Sequence, residues 1–158
     1  MTLMANEIKN SALDVSKYII CLAQRNGDII TNLKLQKLLY YAQAWYLVNN
    51  NNSKLFEDDI EAWQYGPVVP SVYNEYKKFG RLPINIDCNL ENDFKDLCNN
   101  KKQYLNEFCE AFLRFSATEL VGMTHLEKPW QEAIKRGIYT PIDTDIMYNF
   151  YTDMLNNG

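Results

Sequence analysis

The sequence predicts a mainly α-helical fold: a single compact multi-helix domain with at most a short β element around residues 58–64. Apolar residues recur at helical spacing in at least five segments. Residue types that suit helix N-termini, such as Ser, Thr, Asp and Pro, precede most of these segments. The 158 residues, 47% of them hydrophobic, suit one domain over residues 1–158, whose core needs no disulfide or metal.

The first two predicted helices have the clearest boundary signals. A helix is predicted within residues 11–26, where Ser11 can cap free amide groups and an Asn-Gly pair provides a stop. A longer helix is predicted from Thr31 or Asn32 to about Val48. Its expected apolar face comprises Leu35, Leu38, Leu39, Ala42, Trp45 and Tyr46, with Lys34, Lys37 and Gln43 on other sides.

The remaining chain predicts further, shorter helices separated by polar segments. Pro70 suits the start of a helix that continues to Gly80, and residues 81–103 are polar and broken, with one short helix expected around residues 94–98. Residues 105–115 form an amphipathic helix, after which residues 116–119 match a capping box that restarts the helical chain. Two last helices are predicted, one from Pro129 to about Lys135 and one from Asp143 or Thr144.

Aromatic residues are concentrated between residues 40 and 76. One helix face cannot hold both Tyr40 and Tyr41, so some of these rings must reach the surface or another element. We expect Tyr41 to border the turn at residues 63–67, which Gly66 and Pro67 fix through their unusual backbone preferences. Ordinary core packing and a protein-binding patch both remain open for these rings.

The residues that usually carry catalysis or bind metals show no recognised pattern. His125 is the sole histidine, and no nucleophile motif accompanies it. The His125-Leu-Glu127 string matches half of a zinc deaminase motif, but the required cysteines would lie downstream and the last one, Cys109, lies upstream. The sequence therefore predicts no catalytic residue, no metal site and no cofactor, and an enzyme that uses His125 is the weakest alternative.

Charge and cysteine usage narrow the setting of the protein. The net charge is −4, and no third of the chain is basic enough for nonspecific nucleic-acid binding. Residues 117–125 could form part of a helix-turn-helix, but Pro129 falls where the recognition helix should continue. The four scattered cysteines indicate buried free thiols in a reducing compartment. Residues 1–10 are too polar for a signal peptide, and no apolar run could span a membrane, so a cytoplasmic location is expected.

Four segments together carry a family resemblance. Residues 31–45 include Thr-Asn-Leu-Lys-Leu-Gln-Lys-Leu-Leu-Tyr, residues 55–68 end in Ala-Trp-Gln-Tyr-Gly-Pro-Val, and residues 72–76 and 120–130 follow in order. The chain resembles the Panacea domain family, also described as SocA-like or phage-associated GepA-like, over about residues 12–152. The resemblance implies a mainly helical antitoxin of two-gene toxin–antitoxin loci, often carried on prophages, that neutralises a toxin by direct protein binding without catalysis.

A partner surface is predicted around the aromatic turn and the neighbouring acidic run at residues 57–61. The acids would complement a basic toxin groove, so charge reversal at Asp58 or Asp59 should weaken binding while the fold stays intact. The predicted partner-binding residues are Tyr41, Asp58, Asp59, Glu61, Trp63, Tyr65, Gly66, Pro67, Tyr73, Thr124, His125 and Trp130. The partner is expected to be a cognate protein toxin. The alternatives are a mobile-element protein that blocks a host defence protein and an adaptor that delivers a partner to a protease. Homo-oligomerisation stays open.

Overall fold

A computed structural model describes residues 9–158, so most of the segment on which the signal-peptide prediction rests lies outside the described residues. The described residues form seven α-helices and three short strands. In chain order these are α1 (Ala12–Arg25), α2 (Asn32–Asn49), β1 (Glu61–Trp63), β2 (Gly66–Val68), α3 (Pro70–Tyr76) with a 3-10 turn (Lys77–Phe79), α4 (Asn99–Phe112), α5 (Ala117–His125), α6 (Lys128–Arg136), β3 (Thr140–Pro141) and α7 (Thr144–Asn157). The predicted mainly helical fold is confirmed.

The helix caps expected from the sequence are present. Ser11 accepts a hydrogen bond from the backbone of Asp14 at 3.2 Å, and Thr31 accepts one from the backbone of Lys34 at 3.2 Å. Ser116 and Glu119 form both bonds of the capping box, each 3.0 Å long. Each cap involves residues three positions apart, which is why the sequence alone was enough to predict it.

Helix α2 lies at the centre of the molecule, in contact with α1, α3, α4, α5, α7 and β2. Because neighbours surround it, the expectation of one apolar face with Lys37 and Gln43 on other sides is wrong: these side chains are 0% and 1% exposed. The buried Gln43 amide donates to the carbonyl of Phe56 at 2.7 Å and accepts from the amide of Leu55 at 2.7 Å. The polar side chains of α2 therefore fix the adjacent loops, and between Leu35 and Leu47 the helix has no exposed polar face.

The three strands form one antiparallel sheet in the order β2-β1-β3. Strand β1 is the short β element expected around residues 58–64, whereas β2 and β3 were not predicted. Pro67 pairs with Ala62 on the edge strand β2, where a residue without an amide hydrogen is tolerated. Strands of two or three residues are too short to show an alternating pattern in the sequence.

The segment between the 3-10 turn and α4 differs from the prediction. Residues 81–98 contain turns and no helix, so the short helix expected around residues 94–98 is absent, and α4 begins earlier than expected, at Asn99. A disulfide joins Cys21 in α1 to Cys88 in this segment. The prediction of four free thiols is therefore wrong for this pair, because the fold brings together two cysteines that are 67 positions apart in the sequence. Cys98 and Cys109 are free and buried.

The buried apolar residues of the helices pack into one continuous core cluster that extends from Ala12 to Tyr151. Within residues 9–158, no helix combines the length and apolar character that crossing a membrane would require.

Candidate functional site

The candidate site is a cleft of about 720 Å³ bounded by α2, the β1–β2 hairpin, the end of α3 and the loop before β3. We call it the aromatic cleft. It is lined by Asn32, Leu33, Gln36, Lys37, Trp63, Gln64, Tyr65, Val68, Tyr73, Lys77, Gly80, Arg81, Ile138 and Tyr139.

Two amide side chains of α2 fix the floor of the aromatic cleft. Gln36 donates to the side-chain oxygen of Asn32 at 2.8 Å and accepts from the backbone amide of Val69 at 2.9 Å. Asn32 in turn donates to the carbonyl of Tyr73 at 3.2 Å. These bonds attach the β2–α3 connection to the central helix, so the floor is rigid before any ligand arrives.

Lys37 lies beneath the hairpin, fully buried, with its ammonium donating to the carbonyl of Pro67 at 2.8 Å. Burial lowers the pKa of Lys37 to about 7, because it disfavours the charged form. None of the carboxylates in the described residues forms an ion pair with Lys37 that would oppose this shift. Gly66 permits this approach: its φ is +108°, and a Cβ there would lie 2.9 Å from the Lys37 side chain and from Thr124 Oγ1. Only glycine fits this position without a shift of its neighbours.

The wall of the aromatic cleft is built around Trp63. Its ring packs edge-on against Tyr73 and Tyr139, with ring centres 4.9 Å and 5.3 Å away. Its indole nitrogen donates to Glu61 at 3.0 Å, while its carbonyl accepts from the indole of Trp130 at 2.9 Å. Trp63 is thus held at both its ring and its backbone, and it is partly exposed at the cleft.

Tyr139 lies at the rim in a strained backbone conformation. Its φ is +73°, a value that non-glycine residues adopt at an energetic cost, and its amide donates to the carbonyl of Ala62 at 2.8 Å. The ring is 56% exposed. Strain combined with an exposed aromatic ring is typical of a functional position.

The predicted site residues of the hairpin and α3 lie together at the aromatic cleft. Trp63, Tyr65 and Tyr73 line it, Gly66 and Pro67 form the adjoining strand, and Tyr65 is 63% exposed. Their role in binding a partner stays a prediction.

The acidic residues of the predicted site have different roles. Asp58 accepts from the backbone amide of Ala12 at 2.8 Å and from the hydroxyl of Ser71 at 2.7 Å, so it caps α1 and connects it to α3. Charge reversal at Asp58 would remove both bonds, so we expect it to destabilise the fold, contrary to the prediction from the sequence. Glu61 is held by Trp63, and Asp59 is exposed.

Tyr41 does not border the turn, and that expectation is wrong. It is 1% exposed, and its hydroxyl donates to Glu127, which also accepts from Tyr151 at 2.9 Å. Tyr151 forms a further hydroxyl contact with Tyr40 at 2.9 Å. Burial raises the pKa of Glu127, while the two hydroxyl donors oppose the shift. This network connects α2 to α7 inside the protein, which explains how both neighbouring tyrosines of α2 are buried.

Thr124, His125 and Trp130 support the hairpin from behind. The His125 ring stacks on the Trp130 ring with centres 4.1 Å apart, and Trp130 holds the carbonyl of Trp63. Thr124 is buried and donates to the carbonyl of Val121 at 2.8 Å. Burial, followed by the charge of Lys37, lowers the pKa of His125. Within residues 9–158, no group of three or more His, Cys, Asp or Glu residues could hold a metal ion.

Comparisons with known proteins identify the family of the chain. Residues 35–131 match the protein family described as "Antitoxin SocA-like, Panacea domain". The chain belongs to this family. It is 34% identical over 111 residues to "Antitoxin SocA" of Caulobacter vibrioides (strain NA1000 / CB15N), an alignment that covers 64% of this chain and 58% of that protein. The chain thus spans less than two thirds of the length of that relative. No solved structure matches the present chain.

The SocA-like match confirms the predicted family and contains most of the aromatic cleft. Asn32, Leu33, Ile138 and Tyr139 lie outside the matched range. Sequence reasoning missed Ile138 and Tyr139 because they precede a two-residue strand. Sequence reasoning also missed Lys37, Lys77 and Arg81, because basic residues of this kind usually lie on the surface. With Lys34 and Gln36 beside it in the sequence, Lys37 gives no local signal of its burial.

Proposed function

We propose that this chain is the antitoxin of a two-gene toxin–antitoxin pair and neutralises its cognate protein toxin by direct binding, without catalysis. Membership of the SocA-like family and the likeness to a protein named as an antitoxin support the role. A cytoplasmic location and an origin on a prophage or other mobile element remain predictions.

One observation supports binding through the aromatic cleft. Ten large apolar side chains are exposed in the described residues, and four of them line this single cleft: Leu33, Tyr65, Ile138 and Tyr139. Such a concentration of exposed apolar surface is typical of protein-interaction sites. Tyrosine and tryptophan supply large contact areas there with few rotatable bonds.

The rigidity of the aromatic cleft supports the same role. The amides of α2 hold its floor, and Trp130 holds the hairpin that carries Trp63. A surface that is already ordered loses little entropy when a partner binds. Neutralisation then requires only that the bound antitoxin cover the working surface of the toxin or hold it in an inactive conformation.

Co-expression with the product of a neighbouring gene that is lethal alone tests the proposal. The wild-type chain should restore growth and bind the purified toxin. Tyr65→Ala should abolish rescue and weaken binding by about 2 kcal/mol, because it removes a central exposed ring. Leu155→Ala is the matched control, since Leu155 is 59% exposed and does not line the cleft.

Two results would contradict the proposal. If no neighbouring gene product is toxic, the antitoxin role fails. If Tyr65→Ala and Leu155→Ala bind and rescue equally well, the antitoxin uses another surface, the segment 124–130 being the next candidate.

A further inference from the structure

The charges at the aromatic cleft have a sign opposite to that of the whole chain. The chain carries a net charge of −4, yet the charged residues that line the cleft are Lys37, Lys77 and Arg81, with no carboxylate among them. A local cationic surface on an acidic protein attracts anionic groups selectively.

Lys77 and Arg81 are available to a partner. Both are exposed, and neither forms an ion pair with another residue of the part of the chain that the structure describes. Lys37 lies below them, covered by the hairpin and with its pKa lowered to about 7, so the positive charge offered to a partner comes from Lys77 and Arg81. In the expected acidic run, Asp58 and Glu61 are held by hydrogen bonds within the protein, which leaves Glu57 and Asp59 as its exposed acids.

The apolar part of the aromatic cleft lies beside these cations. The exposed residues Tyr65 and Tyr139 and the partly buried Trp63 leave room for an aliphatic or aromatic side chain. A volume of about 720 Å³ accommodates a short protruding segment rather than the broad face of a domain.

We propose, on the basis of the proposed antitoxin function, that the aromatic cleft binds an acidic peptide segment of the toxin, with a carboxylate at Lys77 and Arg81 and an apolar side chain against Trp63 and Tyr139. A nucleotide combines negative charge and an aromatic ring in a similar way. The amides of Asn32 and Gln36, however, already bond to the protein, which leaves them poorly suited to read the edge of a base. The peptide therefore fits the donor set better.

Selection of random twelve-residue peptides on the immobilised full chain tests this without knowledge of the toxin. Enriched peptides should combine Asp or Glu with Leu, Phe or Trp. Their affinity, measured by fluorescence anisotropy, should fall at least about tenfold in the double variant Lys77→Glu/Arg81→Glu. Peptides in which Lys replaces the acids should bind that variant better than they bind the wild type.

The double variant Lys78→Glu/Arg114→Glu is the matched control: it makes the same change in net charge at exposed residues that do not line the cleft. Its peptide affinity should stay within about twofold of wild type. Enrichment of basic or uncharged peptides, or equal losses in both double variants, would overturn the proposal. Binding of ATP that depends on Lys77 and Arg81 and displaces the peptides would identify a nucleotide site instead. Because rescue of growth is measured separately, failure here leaves the antitoxin role intact.

Discussion

Lys37 illustrates how one buried residue connects the stability of the protein to pH. Its ammonium has a carbonyl partner but no carboxylate, and its pKa is lowered from 10.5 to about 7. Between these values the unfolded chain binds the proton and the folded protein does not, so stability rises with pH. Burial raises the pKa of Cys109 and of Tyr40 and Tyr104, which gives the opposite trend. This opposing trend begins near pH 8 for the thiol and above about pH 9 for the tyrosines.

We expect the free energy of unfolding, measured by urea titration, to rise by about 1 to 2 kcal/mol between pH 7 and pH 9. Lys37→Met should lose most of this rise, whatever its absolute stability, because the titrating group is gone. The exposed Lys54→Met is the control and should keep the wild-type slope. A wild-type stability that is flat or falling over this range would show that Lys37 does not titrate as its burial implies.

At the scale of secondary structure, the loop between α6 and β3 holds Tyr139 at a positive φ that glycine adopts freely. Tyr139→Gly should therefore be more stable than Tyr139→Ala by about 1 kcal/mol, the reverse of the usual order. The neighbouring Ile138, whose φ is not positive, supplies the control: Ile138→Gly should be less stable than Ile138→Ala. Thermal melts of the four variants test this.

Binding of the toxin adds a second measurement to the same variants. Tyr139→Gly should weaken binding despite its relaxed backbone, because the ring at the rim is lost. If Tyr139→Ala proves more stable than Tyr139→Gly, the backbone is not strained and the rim position of the ring has another cause.

The same elements show how far the sequence determines the fold. The capping box at Ser116 and the start of α2 at Thr31 depend on residues three positions apart, and both were predicted. The central position of α2, which buries Tyr41 and Lys37, depends on five other helices that pack around it, and a helical periodicity cannot reveal them. The sequence thus predicts the elements better than it predicts which of their faces are covered.

At the scale of the whole molecule, the aromatic cleft combines residues from four distant parts of the chain: 32–37, 63–68, 73–81 and 138–139. The hairpin portion was predicted from its aromatic and Gly-Pro residues. The cations at Lys77 and Arg81 were missed because each has an ordinary local sequence, and only the fold brings them to the aromatic wall.

The disulfide between Cys21 and Cys88 is the other long-range feature that sequence reasoning missed. It connects α1 to residues 81–98, a segment that contains no helix and that also bonds through Ile86 to the side chain of Gln24, at 2.9 Å and 3.0 Å. The bond restricts the unfolded chain over 67 positions, whereas the core is a continuous cluster of apolar residues.

Reduction should therefore weaken the protein without unfolding it. We expect dithiothreitol to lower the free energy of unfolding by about 2 to 4 kcal/mol, because the cross-link mainly limits the unfolded state. A single cooperative transition should persist, as expected of one domain with one core.

Cys88→Ser should behave like the reduced wild type and show no response to dithiothreitol, since Cys88 is exposed and contributes little packing. Toxin binding should be the same in both redox states, because neither cysteine lines the aromatic cleft. Two separate transitions, or loss of binding on reduction, would show that residues 81–98 depend on the bond for their position and that the cleft depends on them.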